Sequence, residues 1–479
     1  MWWLVFPALV AAFLILIIVR ALCFIPKPHH KVPLRDVQVN SDTVCSHLAQ
    51  MIRCRTISCS DESQRDEAEF EKFRNLLIEL YPNIQHACTL EYVGNGGILY
   101  KLPGQSSDAP SVFMSHYDVV PADDAAWDKP PFDAVIEDGV LWGRGTLDTK
   151  TTLLATLESA EMLIAGGFIP KNDMYFAFGA DEELSGTCAQ AMVEQFKARG
   201  ITPAFVFDEG GAVVEGVFPG LKQPCALIGT GEKGYLDVDF TICNNGGHAS
   251  TPPPHTSVGL LANAVANVEN HPFPRKLTKP VAELLDTLGR HSSFLYRLIF
   301  ANLWCFMPLL DAICKSSGGE LNAMLRTTCA FTRMQGSSAP NVLPPCAMVG
   351  ANLRIIGGET PEFVLDHLRR VVHSDKISLT GSPAGLNHPS SFSDTSGKAW
   401  EKLSAAIAQT WPDAIISPYL MVAGSDSTYY SHISKYVYRF SGMALTSDER
   451  ARMHGHNERI PLSKVIATVQ FYVRLMEMF

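Results

Sequence analysis

Apolar and polar residues recur along this chain with two periods, and the switches between them lay out its elements. SVFMSHYD (111–118) reads as a strand running into a polar tip, and DMYFAFGADEE (173–183) and PAFVFDEGG (203–211) read the same way. Between them, TKTTLLATLESAEMLIAGG (149–167) and GTCAQAMVEQFKARG (186–200) space their apolar residues as helices do and stop at glycines. Strand–helix alternation of this kind predicts an α/β fold: a mostly parallel sheet with helices on both faces. After residue 228 the pattern changes. GYLDVDFTI alternates as a strand, SVGLLANAVANVEN and PEFVLDHLRRVV are helical, and MLRTTCAFTRMQG and CAMVGANLRI are strands again. This mixture predicts an inserted α+β domain over 229–381, between a first part of the main domain at 40–228 and a second at 382–479. The closing helix starts at Leu462.

Two apolar stretches stand apart. WWLVFPALVAAFLILIIV (2–19) carries no charge and is long enough to cross a bilayer as a helix. Its length and the lack of a basic n-region favour an uncleaved anchor (1–22) over a cleaved signal peptide. A Pro-rich, basic linker follows at 23–39. Lys and Arg on its C-terminal side favour a cytosolic body by the positive-inside rule, and no Asn-x-Ser/Thr sequon supports a lumenal one. The expected arrangement is a single-pass N-terminal anchor with a lumenal or extracellular body, secreted if the segment is cleaved. The second stretch, FLYRLIFANLWCFMPLLDAIC (294–314), is broken by Arg297, Pro308 and Asp311 and makes a poor span. It reads as a helix pair buried in the insert; the sharper reading is an apolar wall for a fatty chain or a membrane-facing patch.

Composition narrows the classes. The 479 residues exceed one compact core, and 47% apolar with 18% charged residues marks a globular chain. The net charge of −10, without any basic run, excludes nucleic acid as a partner. Twelve cysteines form no C-x-x-C pair, so neither a structural zinc site nor a small disulfide scaffold is expected. Cys45, Cys54, Cys59 and Cys88 are the candidates for a disulfide if the body is lumenal.

The chemistry gathers at the strand ends, where open parallel sheets bind ligands. SHYD offers His116 and Asp118, GRGTLDTK offers Asp148, ADEE offers Glu182 and Glu183, and FDEGG offers Asp208 and Glu209. A late segment, MHGHNERI, adds His454 and His456. Taken singly, each has a bland reading as a core histidine or a solvated acidic turn. Their shared location at successive strand ends argues against coincidence. Carboxylates with imidazoles suit Zn²⁺, with Co²⁺ or Mn²⁺ as alternatives. Adjacent glutamates repel unless a cation lies close, and a shared carboxylate can hold two ions roughly 3.5–4 Å apart.

H-x-D (116–118), G-R-G-x-x-D-x-K (143–150), D-E-E (181–183), D-E-G (208–210) and H-x-x-N-E (454–458) occur in this order. The set resembles the aminoacylase/carboxypeptidase family of di-zinc metallopeptidases, over nearly all of 40–479. Within it, the N-terminal apolar segment, the DEELSGTCAQ/DEGG run and the 294–314 insert resemble the N-fatty-acyl-amino-acid synthase/hydrolase and carboxypeptidase S branch. GGHASTPP, APNVLPP and ANLRI resemble the family's lid-domain motifs; AGSDS (423–427) resembles its Gly-Gly-Thr-Asp loop but replaces one glycine and has Thr428 where arginine is common.

The resemblance implies that Asp148 bridges two zinc ions. Glu183 and His454 would complete one ligand set, and His116 with Glu209 (or Asp208) the other. Asp118 would orient His116, and Glu182 would shuttle the proton of an attacking water. His248, Asn341, Arg354 and Gly424 would contact substrate. In relatives the lid histidine serves the neighbouring subunit, which implies a homodimer. The implied reaction is cleavage, and in reverse formation, of N-acyl amino acids with long fatty chains. A carboxypeptidase acting on short peptides is the alternative. A non-catalytic membrane-anchored binding protein is the reading from another class, and the intact ligand set counts against it.

Overall fold

The structure, a computed structural model, describes residues 2–27, 33–217 and 220–479. The expected linker therefore lies partly outside the described residues, at 28–32.

Eight strands make the main sheet. In spatial order they are Thr89–Val93, Gly97–Leu102, Asn172–Gly179, Ser106–His116, Phe205–Val214, Val437–Leu445, Cys225–Glu232 and Ile415–Met421. The four central ones run parallel, as the strand–helix alternation requires. The first two strands add antiparallel pairings at one edge. Central strands are buried on both faces, which is why they read as continuous apolar runs. Successive residues still serve opposite sides. Phe113, Phe176, Phe205 and Phe207 pack under the helices Lys150–Ala165 and Leu462–Met476. Val112, Met114, Tyr175 and Val206 pack on the other face with Val193 and Phe196 of the helix Cys188–Ala198. The expected strand 173–183 ends at Gly179, and Glu182–Leu184 form a single 3-10 turn. That ending lifts the acidic residues out of the sheet onto its rim.

A smaller, fully antiparallel sheet runs in the order Thr328–Gln335, Cys346–Ile355, Gly234–Cys243 and Ser378–Asn387. Leu236, Val238, Phe240 and Ile242 alternate inward, beneath the helices Ser257–Asn270 and Pro361–Val372. Its last strand pairs as far as Asn387, past the expected boundary at 381. Register partners Cys243 and Cys346 form a disulfide. Cys45, Cys54, Cys59 and Cys88, the sequence candidates, are unpaired. Two cysteines 103 residues apart are brought face to face by strand pairing, which no local spacing reveals.

The stretch 279–325 lies within the insert by sequence but packs elsewhere. Helix Lys279–His291 lies on the strand Ile415–Met421, and Leu284, Leu285 and Leu288 join the main core. The next two helices, Phe294–Phe300 and Leu303–Ser317, meet at a sharp bend of 104°. They are not the buried pair read from the sequence: Leu295, Trp304, Leu309 and Ile313 are all exposed. Phe294–Phe300 packs on the N-terminal helix Trp2–Cys23 and on Lys279–His291, and Leu303–Ser317 packs on the short helix Gly319–Leu325; residues Val5–Cys23 are long and apolar enough to cross a membrane.

Candidate metal centre

His116 ends a central strand and is buried. Its Nδ1 lies 3.0 Å from the main-chain oxygen of Asp118, which leaves Nε2 facing the cleft. That nitrogen is 3.1 Å from Asp148 Oδ1 and 3.3 Å from Glu209 Oε1. The other oxygen of the same carboxylate, Asp148 Oδ2, is 3.0 Å from His454 Nε2. His454 Nε2 is in turn 3.0 Å from Glu183 Oε2. One aspartate thus faces two groups, each made of a histidine and a glutamate. His454 is held in the left-handed backbone region, uncommon for a non-glycine residue, and is about half exposed, so the cleft opens on its side.

Asp118 ties the two sides of the cluster together. Its carboxylate accepts from the Ser58 hydroxyl and from the backbone N–H groups of Glu182 and Glu183, both at 3.2 Å. Burial works against its charge, but His116 and these donors hold its pKa below the usual carboxylate range. Asp118 therefore fixes both the imidazole and the acidic turn, as groups outside a metal's own ligands commonly do.

The DEGG run separates into two roles. Asp208 accepts from the N–H of Glu209 at 2.9 Å and of Ser427 at 3.0 Å, so it anchors the neighbouring loop. Glu209 instead points at His116. The glycine Gly211 is demanded by packing, since a Cβ there would sit 1.9 Å from the main-chain oxygen of Leu227.

Excess negative charge is the electrostatic signature of the cleft. Burial first, with Asp148 and Asp208 adding repulsion, pushes Glu209 up to about 7. Burial, followed by Glu209 and Asp426 against the pull of His116, raises Glu182 well above its ordinary value. Asp426 is raised by burial and then Asp208. Both histidines go the other way: hydrogen bonds to Asp148 and then Glu183 lift His454 to about 10. His116 is lifted well up by Glu209, Asp118 and Asp148 despite its burial. Glu183 Oε1 is buried without a hydrogen-bond partner. An orphaned carboxylate oxygen among crowded acids is what cations would satisfy, and His116, Asp148 and Glu183, or His116, Glu182 and Glu209, have atoms close enough to share one.

Sequence reasoning missed a brace behind the cluster. Glu458 is fully buried and accepts from Arg144 Nη1 at 2.6 Å, Leu147 N at 2.6 Å, Gly145 N at 3.1 Å and Asp148 N at 3.3 Å. It shapes the turn that presents Asp148. The signal was present in the E of H-x-x-N-E and the R of G-R-G, two motifs some 310 residues apart. Asp426, in the AGSDS loop, was also passed over; its Oδ2 would lie 2.5 Å from a Cβ on Gly179.

The lid residues lie apart from this centre. His248 is exposed, on a two-residue strand paired with Val342–Leu343, and its Nδ1 bonds the Ser250 hydroxyl at 2.7 Å. Asn341 accepts from Ala249 N at 3.0 Å through its main chain. Arg354 ends a strand of the small sheet, donates to Asn352 and stacks on Tyr235. Gly424 has nothing within 4 Å of where a Cβ would stand. Among the described residues no hydrogen bond or ion pair joins His248, Asn341 or Arg354 to the His116–Asp148–His454 cluster, and none involves His456.

Residues 112–478 match peptidase family M20/M25/M40, and the chain belongs to that family of metal-dependent hydrolases. It is 34% identical over 443 residues to the probable carboxypeptidase S-like 2 of Dictyostelium discoideum, covering 91% of this chain and 84% of that one. It is equally 34% identical over 435 residues to the N-fatty-acyl-amino acid synthase/hydrolase PM20D1 of Xenopus tropicalis, covering 90% and 84%. The fold matches the M20 family metallo-carboxypeptidase Sso-CP2 of Sulfolobus solfataricus with a TM-score of 0.69 at 15% identity, over 91% of this chain and 98% of that one.

Proposed function

We propose that the chain is a di-zinc amidohydrolase that cleaves N-fatty-acyl amino acids, and forms them in reverse. The observation that carries it is the two-sided placement of Asp148, one oxygen toward His116 and the other toward His454. His116, Asp148 and Glu209 would hold one ion, and Asp148, Glu183 and His454 the second. Bound divalent ions acidify water and polarise a carbonyl. The chain's own residues supply the rest. Glu182, anchored through its N–H to Asp118, takes the proton of the attacking water and delivers it to the leaving nitrogen as the C–N bond breaks. Asp118 keeps His116 in register, and Glu458 keeps Asp148 there.

His248 would donate to the developing oxyanion, and Arg354 or Asn341 would hold the substrate's carboxylate, with Gly424 leaving backbone open beside it. An exposed His248 with no partner in its own cleft suits an arm that completes the centre of a second copy, hence a homodimer. The fatty-acyl preference rests on the likeness to the Xenopus enzyme. The likeness to carboxypeptidase S-like 2 favours the second reading, release of C-terminal residues from short peptides. The helix Trp2–Cys23 would be a single-pass anchor, and the Cys243–Cys346 disulfide suits a body on the lumenal or extracellular side.

Two experiments test this. Purified protein offered an N-oleoyl amino acid and a Gly-Leu dipeptide should turn over the first at least tenfold better; the reverse order selects the peptidase. Glu182→Gln should abolish turnover with both zinc ions retained by metal analysis. Unchanged turnover would refute the proton-shuttle role.

A further inference from the structure

We propose that the bent helix pair Phe294–Phe300 and Leu303–Ser317 is a membrane-inserted wedge, seated in bilayer hydrocarbon beside the N-terminal helix. The inference rests on the reading of Trp2–Cys23 as a membrane helix and goes beyond it.

The two units are physically joined. From Val5 to Cys23, Ile17 and Ala21 are the buried positions of an otherwise exposed stretch, and they face this pair. Arg20 donates from Nε and Nη2 to the main-chain oxygen of Ala301, at 3.2 and 2.9 Å, and from Nε to Asn302 Oδ1 at 3.0 Å. Asn302 returns Nδ2 to the oxygens of Ile17 and Leu298, at 3.0 and 2.9 Å. The Phe13 and Trp304 rings meet edge to face at 6.0 Å.

Depth follows from helix geometry. Phe13 is ten residues from the helix end at Cys23, or about 15 Å at the α-helical rise. A bilayer's hydrocarbon core is roughly 30 Å thick. If the N-terminal helix spans it, the Trp304 ring reaches toward the middle, and the bend at Ala301–Asn302, held by Arg20 three residues before Cys23, lies about 5 Å inside that end. Interrupted backbone at that depth is tolerated only where its polar groups find partners. The Ala301 carbonyl has its partner in Arg20, and the Asn302 amide has two. From the bend, Leu303–Leu310 is uncharged over about 12 Å of helix. The first charge, Asp311, comes only after that run, is buried in the protein, and is ion-paired with Arg326, with Lys315 at 3.2 Å and with Arg275 at 3.4 Å. Leu295 and Trp304 are 68% and 59% exposed, and Leu309 and Ile313 both 53%. This apolar face continues that of the N-terminal helix, so the solvent that covers one covers the other.

The test uses the full chain in phosphatidylcholine vesicles whose acyl chains carry a photoactivatable diazirine. After irradiation, peptides from 2–23 and from 294–310 should both carry lipid adducts. Adducts on 2–23 alone overturn the wedge and leave the anchor, whether the face stays bare or cross-links to a second copy. Adducts on neither overturn both. A triple variant, Leu295→Asp, Trp304→Asp and Leu309→Asp, should lose at least tenfold of the 294–310 label. It should keep the 2–23 label and turnover of a water-soluble N-acetyl amino acid. Should that variant fail to fold, labelling of the unmodified chain decides alone.

Discussion

Glu458→Gln should cripple the centre without removing any proposed ligand. The buried carboxylate binds a guanidinium and three backbone N–H groups around the turn Gly145–Asp148. A glutamine has one acceptor oxygen, and its amide N–H₂ must face donors. Arg144 would lose its buried counter-charge, keeping Gly455 O at 2.9 Å and its stacking on Trp127. Breaking one side of a buried pair costs about 3–5 kcal/mol. Taking about 2 °C per kcal/mol for a large domain, the melting temperature should fall about 6–10 °C. Asp148 N is among the donors released, and a misplacement of about 1 Å near the chemistry can cost ~100-fold in kcat/KM. The assay is a melt and a kcat/KM measurement on Glu458→Gln, Arg144→Met and the double variant. The double should fall well short of the sum, because the pair is then removed together. A Glu458→Gln protein that melts within 2 °C of the parent, or a strictly additive cycle, refutes the brace.

The remaining predictions test the charge, the packing and the disulfide. In metal-stripped protein, Glu209 (about 7) and His454 (about 10) both hold protons more tightly folded than unfolded, so stability should fall as pH rises through roughly 4.5–10 and zinc should flatten that slope. Denaturant midpoints with chelator and with zinc check this, and a rising apo profile across that window contradicts it. Gly211→Ala places a Cβ against the Leu227 carbonyl and should cost about 3 kcal/mol or more; wild-type yield and melting would contradict the fit. Cys243→Ser should weaken the small sheet by about 2–5 kcal/mol, seen as faster amide exchange in Gly234–Cys243 and Cys346–Ile355 with little change in the main sheet.

The strand ends and the residues on them were readable because burial and chemistry leave opposite marks in one short stretch. YFAFG must be covered on both faces, and ADEE directly after it must not. His116, Asp148, Glu183, Glu209 and His454 are therefore visible as types and positions. Their convergence was legible only through the motif order that resembles a family. The brace by Glu458 was hidden because its partners lie some 310 residues away, and a buried glutamate looks like an exposed one in a sequence. The helices 279–317 were misplaced for a similar reason. Apolar spacing says that a face must be covered, but not by what: Leu284 and Leu288 meet the main sheet, while Leu295 and Trp304 are left uncovered.

By itself, then, the amino-acid order determined the α/β alternation, the long N-terminal apolar helix and the acidic tips, since each depends on neighbours within a few residues. Only the tertiary structure decided that Cys243 meets Cys346, that Asp148 stands between two histidines, and that Arg20 closes the bend at Ala301. Most of those contacts join segments 100 to 300 residues apart, and even His116 and Asp148 are separated by 32. They are set by strand register and packing, which the local period of a chain does not encode.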